Sequence, residues 1–353
     1  MHAGVVIASS IVLVLALVPA LRRPAEALGL IDHPCQRKRH GMPIPLTGGL
    51  AMFLGFCLPL MFLTEHFLAL WPLVLGMSLM LAVGLYDDIR DLSAWRKLTV
   101  QLAVAAIVVI WGGAEVRTLG NLFGFGVMGL GIFAIPLSIL AVAFMVNAIN
   151  MADGADGLAG GMAAVIFALL AAVGWLDGSA PELFLACTLL AAVSVGFLTF
   201  NMRSPFRRKA SAFMGDAGSM MLGFAIAYLA IRLAMDKGAS VYPATIAWIL
   251  MIPAMDTFSL FVRRLRMGRS PFSPDRWHLH HILMRIGFSV RGTNAIIHLM
   301  VLITGSIGIA GWWLGVPQWM LFYSAAFIII AHHLVIINAP RLVRWKRRLQ
   351  RAG

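Results

Sequence analysis

Charged side chains are scarce in this chain of 353 residues: Asp, Glu, Lys and Arg make up 12% of it, whereas 60% is hydrophobic. A water-soluble domain carries roughly 25% charged residues, so the chain has about half of the charge that a water-facing surface needs. Cysteine is scarce too. Cys35, Cys57 and Cys187 form no CxxC pair, so the sequence implies neither a disulfide framework nor a thiolate metal site.

The hydrophobic residues occur in separate blocks of about 17–24 residues, each long enough to cross ~30 Å of hydrocarbon. Eleven blocks lie near 3–21, 46–63, 69–86, 98–113, 127–147, 158–176, 182–200, 214–234, 243–261, 293–314 and 319–338. A signal peptide is the alternative for the first block, but Arg22 and Arg23 follow the apolar run instead of preceding it. The sequence therefore predicts an all-α, polytopic membrane protein with about eleven transmembrane helices.

The positive charges mark one side of the membrane. The formal net charge is +13, but Lys and Arg form no basic stripe with interleaved aromatic residues, so nucleic acid is not an expected partner. Of the 28 Lys and Arg residues, all except Arg117, Arg232 and Lys237 lie in every second connector or in the C-terminal tail. The positive-inside rule then predicts the N-terminus outside and the C-terminus in the cytoplasm.

The chain shows no internal repeat and no stretch long enough for a separate soluble domain. We expect a single membrane domain over residues 1–353. Its active site would be built from cytoplasmic loops at 22–45, 87–97, 148–157, 201–216 and 262–292.

Acidic residues recur at the ends of the predicted helices. Asp87, Asp88 and Asp91 follow the third helix, and neighbouring carboxylates of this kind are a common way to hold Mg²⁺. A helix cap followed by a solvated turn is the alternative, although it explains three acids less well than one.

Two further polar clusters follow. The segment 147–158 contains Asn147, Asn150, Asp153 and Asp156 with two Asp-Gly steps, which predict a tight turn that can approach a ligand closely. Helix capping is the alternative. In Phe213-Met-Gly-Asp216-Ala-Gly-Ser219, Asp216 is either a simple N-cap or a metal ligand beside phosphates at the helix N-terminus.

The last inner connector contains His278, His280 and His281 beside Arg276. Their spacing is not the i, i+4 face of a helical zinc site. Imidazoles beside an arginine suit a diphosphate better, and a solvated loop is the alternative. For Asp256, inside the ninth helix near Pro253, we expect a buried polar contact, with direct catalysis as the alternative.

In order and spacing, these motifs resemble the polyprenyl-phosphate N-acetylhexosamine-1-phosphate transferases, the family that contains MraY and WecA. The resemblance extends from about residue 32 to 291 and is greatest for the WecA type, the undecaprenyl-phosphate GlcNAc-1-phosphate transferases. It rests on four stretches: Asp87-Asp88-x-x-Asp91-Leu-Ser93, Asn147-x-x-Asn150-Met-x-Asp153-Gly-x-Asp156-Gly-Leu158, Phe213-Met-Gly-Asp216-Ala-Gly-Ser219, and Ser270-Pro-Phe-Ser-Pro-Asp-Arg276 with His278-x-His280-His281.

The resemblance implies a role for each matching residue. Asp216, Asp88 and Asp156 would bind the metal, and Asp87, Asp88, Asp153, Asp156 and His278 would be catalytic. Phe213 would stack on uracil, with Asn150, Asn147 and Asn201 nearby. Lys97, Arg276, His280 and His281 would contact phosphate or sugar. The loop 37–49 also resembles the family.

The family implies a transferase in the bacterial inner membrane, with its active site facing the cytoplasm. It would transfer GlcNAc 1-phosphate from a UDP-N-acetylhexosamine to undecaprenyl phosphate, releasing UMP, with Mg²⁺ as cofactor and Mn²⁺ as a substitute. FucNAc and QuiNAc are alternative sugars. O-antigen or another cell-envelope polysaccharide would be the product pathway, and a homodimer the expected assembly.

Alternatives from other classes are a membrane transporter and a non-catalytic scaffold. The polar residues cluster at helix ends instead of near the bilayer midplane, which disfavours transport. We expect a single in-line displacement in which Asp87 deprotonates or orients the acceptor phosphate. A covalent phosphoryl-aspartate is the alternative.

Overall fold

The computed structural model describes residues 3–32, 43–203, 207, 209–270, 273 and 275–352. Within them the chain is almost entirely helical, which confirms the all-α class. Cys35 and residues 37–42 of the predicted loop 37–49 lie outside the described residues. The chain divides into two compact units, one comprising Met1–Thr118 and Gly129–Val241, the other Leu119–Met128 and Tyr242–Gly353.

In its described residues, the first unit contains nine α-helices and a short pair of strands. Its helices are α1 (Ala3–Ala20), α2 (Arg22–Ala27), α3 (Gly48–Leu63), α4 (Trp71–Arg90), α5 (Ala94–Gly112), α6 (Ala134–Ala152), α7 (Leu158–Asp177), α8 (Pro181–Asn201) and α9 (Gly215–Met235). A 3₁₀ turn, Gly131–Phe133, precedes α6. Strands β1 (Ile31–Asp32) and β2 (Ile44–Pro45) pair antiparallel, with Ile31 opposite Pro45.

Helix α9 lies at the centre of the first unit, and 83% of its apolar stretch is buried. It packs against α3, α4, α6 and α7. Glycine makes the closest of these approaches possible. A Cβ on Gly84 of α4 would lie 2.3 Å from Cα of Ala217, and one on Gly49 of α3 would lie 2.6 Å from N of Gly218. Small residues at such crossings let helices pack tightly without a hydrophobic driving force from water.

The second unit contains α10 (Pro243–Ile249), α11 (Met251–Arg266), α12 (Leu279–Arg285), α13 (Val290–Trp313) and α14 (Gln318–Ala352). The short strands β3 (Thr118–Gly120) and β4 (Met128–Gly129) lie at two of the points where the chain passes from one unit to the other. Trp248 of α10 donates its indole N–H to the carbonyl of Leu321 at 2.9 Å, which joins α10 to α14.

Among the described residues, nine helices are long and apolar enough to cross a membrane, and the pair α10 and α11 would make ten if it counts as one span. The remaining apolar block, α3, has 16 residues. All eleven blocks are therefore helical, which confirms a multi-pass membrane protein. The count of eleven spans and their orientation stay predictions.

The ninth block departs from a continuous helix. It is divided at Leu250, where α10 and α11 meet at a bend of 77°. Pro253 explains the position of the break, because it lacks the N–H that would bond to the carbonyl of Ile249, and its ring crowds that carbonyl.

Candidate active site

Asp87 lies in the last turn of α4, where its side chain stabilises the turn that follows. Its Oδ1 accepts the backbone N–H of Leu92 at 2.7 Å, and Asp91 ends the helix in a left-handed conformation with φ 51°. The Oδ2 of Asp87 forms an ion pair with Nζ of Lys97 in the first turn of α5. Because the Asp87 side chain is only 3% exposed, this pair is shielded from solvent and salt.

Lys97 also binds the acid at the start of α9. Its Nζ lies 2.6 Å from Oδ2 of Asp216. Asn150, near the end of α6, donates from Nδ2 to Oδ1 of Asp216 at 2.8 Å and to Oγ of Ser219 at 2.9 Å. Helices α4, α5, α6 and α9 therefore meet at one group of acid, amide and ammonium side chains. We call Asp87, Asp88, Lys97, Asn150 and Asp216 the carboxylate–lysine cluster.

Asp88 holds the first turn of α9 in place. Its Oδ1 accepts the N–H of Asp216 at 2.9 Å and its Oδ2 accepts that of Ala217 at 3.2 Å. A negative charge at a helix N-terminus is favourable, because the first N–H groups there have no partner within the helix. Gly215 has φ +69°, and a Cβ on it would lie 2.4 Å from Oδ2 of Asp88, so glycine is needed here.

The turn between α6 and α7 carries the predicted Asp-Gly steps. Asp153 is exposed at the C-terminal end of α6. Asp156 accepts a hydrogen bond from Nε of Arg203 at 2.7 Å, an ion pair that the sequence motifs did not indicate. Gly157 immediately precedes α7 and has φ +81°, and its N–H donates to Oδ1 of Asn201 at 2.8 Å.

Asn201 and Asn147 bind other protein groups. The Nδ2 of Asn201 donates to the carbonyl of Ala212 at 3.0 Å, so both ends of its buried amide are used in backbone contacts. Asn147 donates to Oε1 of the buried Gln101 at 2.6 Å. The predicted substrate contacts of both asparagines stay predictions.

Phe213 is half-buried in the segment that leads into α9. Its N–H donates to the carbonyl of Pro45 at 3.0 Å, and its carbonyl accepts the N–H of Gly48 at 3.0 Å. These two bonds join the start of α3 to the start of α9. They fix the backbone of Phe213, the residue predicted to stack on uracil.

The carboxylate–lysine cluster fits a divalent cation by charge. The cluster contains three carboxylates, those of Asp87, Asp88 and Asp216, and one ammonium group, that of Lys97, so acidic groups outnumber basic ones. Oxygen ligands with such an excess suit a hard cation such as Mg²⁺. Within the residues that the structure describes, no group of three or more His, Cys, Asp or Glu side chains forms a preassembled metal site.

A groove lies beside this cluster, between α4 and α5. It has a volume of about 580 Å³ and a mostly apolar lining. Its lining residues include Tyr86, which precedes Asp87 in the chain, and Leu92, whose backbone N–H binds Asp87. Arg96, which precedes Lys97, lines it as well. An apolar surface therefore begins next to the acids.

The histidines form a group in the second unit. His278 directly precedes α12, and its ring stacks on that of His280 with centroids 5.6 Å apart. The rings of His280 and His281 lie 4.1 Å apart. Burial is the main cause that lowers the pKa of His280 to about 3 and that of His281 to about 4, so both are neutral near pH 7.

Ion pairs and ring contacts surround this histidine group. Nδ1 of His278 lies 2.8 Å from Oδ2 of Asp256 in α11. Arg263 binds Asp275 at 2.8 Å, and the guanidinium groups of Arg263 and Arg285 lie over the ring of Trp277. Arg276, a predicted ligand of the diphosphate, is exposed.

Sequence reasoning missed several partners of the predicted residues. Ser219, Gln101 and Arg203 each contact a motif residue, although Gln101 and Arg203 lie outside the motif stretches and Ser219 carries no charge that would single it out. Their only signal is polarity in or beside an apolar helix, a feature that commonly marks a buried contact. For Asp256 that signal correctly predicted a buried polar contact.

Multiple helices long enough to span a membrane, with three clustered acids of which two share a lysine, are the arrangement expected of a multi-pass membrane enzyme. The model of glycosyl transferase family 4 matches residues 70–234, the stretch that contains the whole carboxylate–lysine cluster. The undecaprenyl-phosphate alpha-N-acetylglucosaminyl 1-phosphate transferase of Escherichia coli O157:H7 is 34% identical over 94% of this chain and 90% of its own length.

The proteins of the same name from Yersinia pestis and Haemophilus influenzae are similar to this chain as well. They are 35% and 32% identical over 94% of it, and the matches cover 92% and 93% of those proteins. The chain belongs to the glycosyl transferase family 4, in the group of polyprenyl-phosphate N-acetylhexosamine-1-phosphate transferases.

Proposed function

We propose that this glycosyl-1-phosphate transferase transfers GlcNAc 1-phosphate from UDP-GlcNAc to undecaprenyl phosphate, giving the lipid-linked diphosphate sugar and UMP. The observation that carries the proposal is the identity of 32–35% to transferases of that name along 94% of the chain. The reaction would be the first membrane step of a lipid-linked glycan such as O-antigen, at the cytoplasmic face of the inner membrane.

The charges of the substrates explain the composition of the site. The acceptor is a phosphate anion that must approach the anionic diphosphate of the donor. Two unit charges 4 Å apart repel by about 4 kcal/mol at an effective dielectric constant of 20. We expect Asp87 and Asp216 to hold Mg²⁺, because these two carboxylates already share one cation, the ammonium group of Lys97, and therefore lie close enough to share a metal ion. The predicted metal roles of Asp88 and Asp156 stay predictions. When bound, the cation would neutralise part of the diphosphate charge and stabilise the leaving UMP.

The protein groups would hold the phosphates and the proton. Lys97 supplies an ammonium group between two acids, where it can donate to an incoming phosphate oxygen. Asn150 fixes the rotamer of Asp216 through the 2.8 Å bond. Asp87 would accept the proton of the acceptor phosphate, or orient that phosphate, before its oxygen attacks the β-phosphorus in line.

The apolar groove between α4 and α5 suits the lipid part of the acceptor. A polyprenyl chain is wholly apolar, so it requires an apolar surface that starts beside the phosphate site. Ala82, Val83 and Val100 supply such a surface, and Arg96 at the same groove supplies a positive charge for the phosphate end. The histidine group and Arg276 would contact the diphosphate or sugar, as the resemblance to the family implies.

Turnover by the purified protein in detergent tests the proposal. We expect UMP release from UDP-GlcNAc only with undecaprenyl phosphate and a divalent cation, and none after complete chelation. Asp87→Asn and Asp216→Asn should each abolish release. Asp177→Asn is a matched control, because Asp177 also accepts a backbone N–H, from Ser240 at 2.9 Å, but lies outside the carboxylate–lysine cluster. Turnover that survives chelation, or that persists in both cluster variants, would refute the proposal.

Two further measurements refine the reaction. A panel of UDP-GlcNAc, UDP-FucNAc and UDP-QuiNAc identifies the sugar, with the highest kcat/KM expected for UDP-GlcNAc. A donor made chiral at the β-phosphorus with phosphorothioate should give inversion, as a single displacement requires. Net retention would instead indicate a covalent phosphoryl-aspartate.

A further inference from the structure

Asp256 is a buried acid that the proposed chemistry does not yet use. It lies in α11, and its side chain is 15% exposed. Its Oδ2 lies 2.8 Å from Nδ1 of His278, and its Oδ1 accepts the backbone N–H of Leu279 at 2.9 Å. A buried carboxylate without partners is costly, so these two bonds are what makes the position tolerable.

The two bonds fix both the backbone and the ring at the start of α12. They reach two adjacent residues, so the carboxylate holds the peptide of Leu279 and the imidazole of His278 in one relative orientation. An ionised carboxylate can only accept, so Nδ1 must carry the proton. The other ring nitrogen, Nε2, then faces away from Asp256. Carboxylates set the tautomer of functional histidines in this way in metal sites and in serine hydrolases.

The neighbouring imidazoles do not take over this role. Nε2 of His332 lies 3.8 Å from Oδ1 of Asp256, beyond hydrogen-bonding distance, and it has no hydrogen-bond partner within the described part of the chain. The rings of His280 and His281 lie beside that of His278, with ring centroids 5.6 and 6.4 Å away. Asp256 therefore binds one imidazole specifically.

We propose that Asp256 is a positioning residue that holds His278 with its proton on Nδ1, so that Nε2 is left to contact the phosphate groups of the substrates. The inference rests on the proposed function and assigns a role to a residue outside the family motifs. When the ring carries its second proton, Nε2 donates to a phosphate oxygen with a full positive charge. When it does not, Nε2 is free to accept a proton.

Asp256→Asn is a sharp test because the structure dictates how the amide must lie. The N–H of Leu279 requires an acceptor, so the amide oxygen takes the place of Oδ1. The amide NH₂ then faces Nδ1 of His278 and forces that nitrogen to accept. The ring is held with its proton on Nε2 and can neither take a proton there nor become charged without a clash of two donors. The shape of the site is otherwise retained.

The tautomer can be read directly by ¹⁵N NMR of the detergent-solubilised protein labelled at histidine. The His278 signals are assigned by their loss in His278→Gln. We expect the Nδ1–H form or the doubly protonated form in the parent protein and the Nε2–H form in Asp256→Asn, with His332→Gln leaving the His278 signals unchanged. An unchanged His278 spectrum in Asp256→Asn overturns the proposal.

Kinetics provide the second readout. In Asp256→Asn we expect kcat for UMP release to fall about 10²-fold, the loss typical of one misplaced charge-stabilising donor, with KM for UDP-GlcNAc changed less than about threefold. Asp177→Asn, the matched carboxylate-to-amide change, should retain kcat. The thermal unfolding temperature of each variant reports whether it is folded.

A double-mutant cycle separates positioning from a general structural effect. If Asp256 acts through His278, then Asp256→Asn should lower kcat little further in a His278→Gln background, because residues that act as a unit are strongly non-additive. Equal factors in both backgrounds contradict the proposal. A parent protein that releases no UMP refutes the proposed function instead, and the NMR result then still tests the contact.

Discussion

The Lys97 ammonium group is the single positive charge that Asp87 and Asp216 share, so its removal should be costly. Lys97→Met deletes the charge and retains an unbranched side chain of similar length. Lys237→Met is the matched control, because Lys237 is exposed. We expect Lys97→Met to unfold at a lower temperature than the parent protein and to lose activity, whereas Lys237→Met should change neither.

The size of the expected loss in stability follows from how deeply the two ion pairs of Lys97 are buried. The side chains of Asp87 and Lys97 are 3% and 17% exposed, and removing one partner of such a buried pair costs about 3–5 kcal/mol. The Asp216 side chain is 36% exposed, so loss of the ion pair between Lys97 and Asp216 adds about 0–1 kcal/mol. With an unfolding entropy of ~2.1 cal/mol/K for each residue of the chain, the combined loss of about 3–6 kcal/mol lowers the unfolding temperature by about 4–8 °C.

Thermal unfolding in detergent with and without Mg²⁺ is the assay. In the presence of a chelator the full loss should appear. Excess Mg²⁺ should reduce it, because a cation bound by Asp87 and Asp216 replaces the missing charge. UMP release should fall at least about 10²-fold even in Mg²⁺, since a phosphate-binding donor is lost.

Two results would refute this reasoning. Equal unfolding temperatures for Lys97→Met and the parent protein under chelation would mean that the buried acid does not depend on Lys97. A loss of the same size with and without Mg²⁺ would mean that the cation does not bind these carboxylates.

Gly84→Ala should prevent α4 from packing against α9, because its Cβ would meet Cα of Ala217 at 2.3 Å; Gly4→Ala, with nothing within 4 Å, should be neutral, and equal unfolding temperatures would contradict this packing. Asn201→Ala should cost about 2–4 kcal/mol by leaving two backbone groups without partners, and an unfolding temperature unchanged within error would exclude that role. Burial lowers the pKa of His280 from 6.5 to about 3, so this side chain favours the folded state only when it is neutral. Its contribution to the free energy of unfolding is therefore complete above pH 6.5 and is lost as the pH falls towards 3. At pH 5 the free energy of unfolding should be about 2 kcal/mol lower than at pH 7 because of this group. This difference should be absent in His280→Gln, and parallel profiles of unfolding free energy against pH for the two proteins would contradict the prediction.

The lengths of the apolar blocks predicted the helical class, and the motifs with the family resemblance named all five residues of the carboxylate–lysine cluster, whose catalytic and metal roles stay predictions. Lys97 was predicted to contact phosphate, yet no pattern indicated that it joins Asp87 to Asp216, which lie in helices far apart in the chain. Asp88 illustrates the same limit. Its predicted metal role cannot be separated by sequence from the two backbone N–H groups that it accepts.

The break in the ninth block and the partner of Asp156 were also beyond sequence reasoning. Pro19 and Pro59 lie inside continuous helices, so proline alone does not predict a bend of 77° at Leu250. Arg203 was counted only as a topology signal. Its pairing with Asp156 depends on how α7 and α8 pack, which is a tertiary property.

The ion pair between Asp87 and Lys97 also determines which helices the buried acid depends on. Its two partners lie only ten residues apart, in the consecutive helices α4 and α5, so this hairpin contains both the acid and the charge that neutralises it. Asp216 lies more than a hundred residues further along the chain, in α9, and meets the same lysine. We therefore expect α4 and α5 to bring the acid and its counter-charge together without α9.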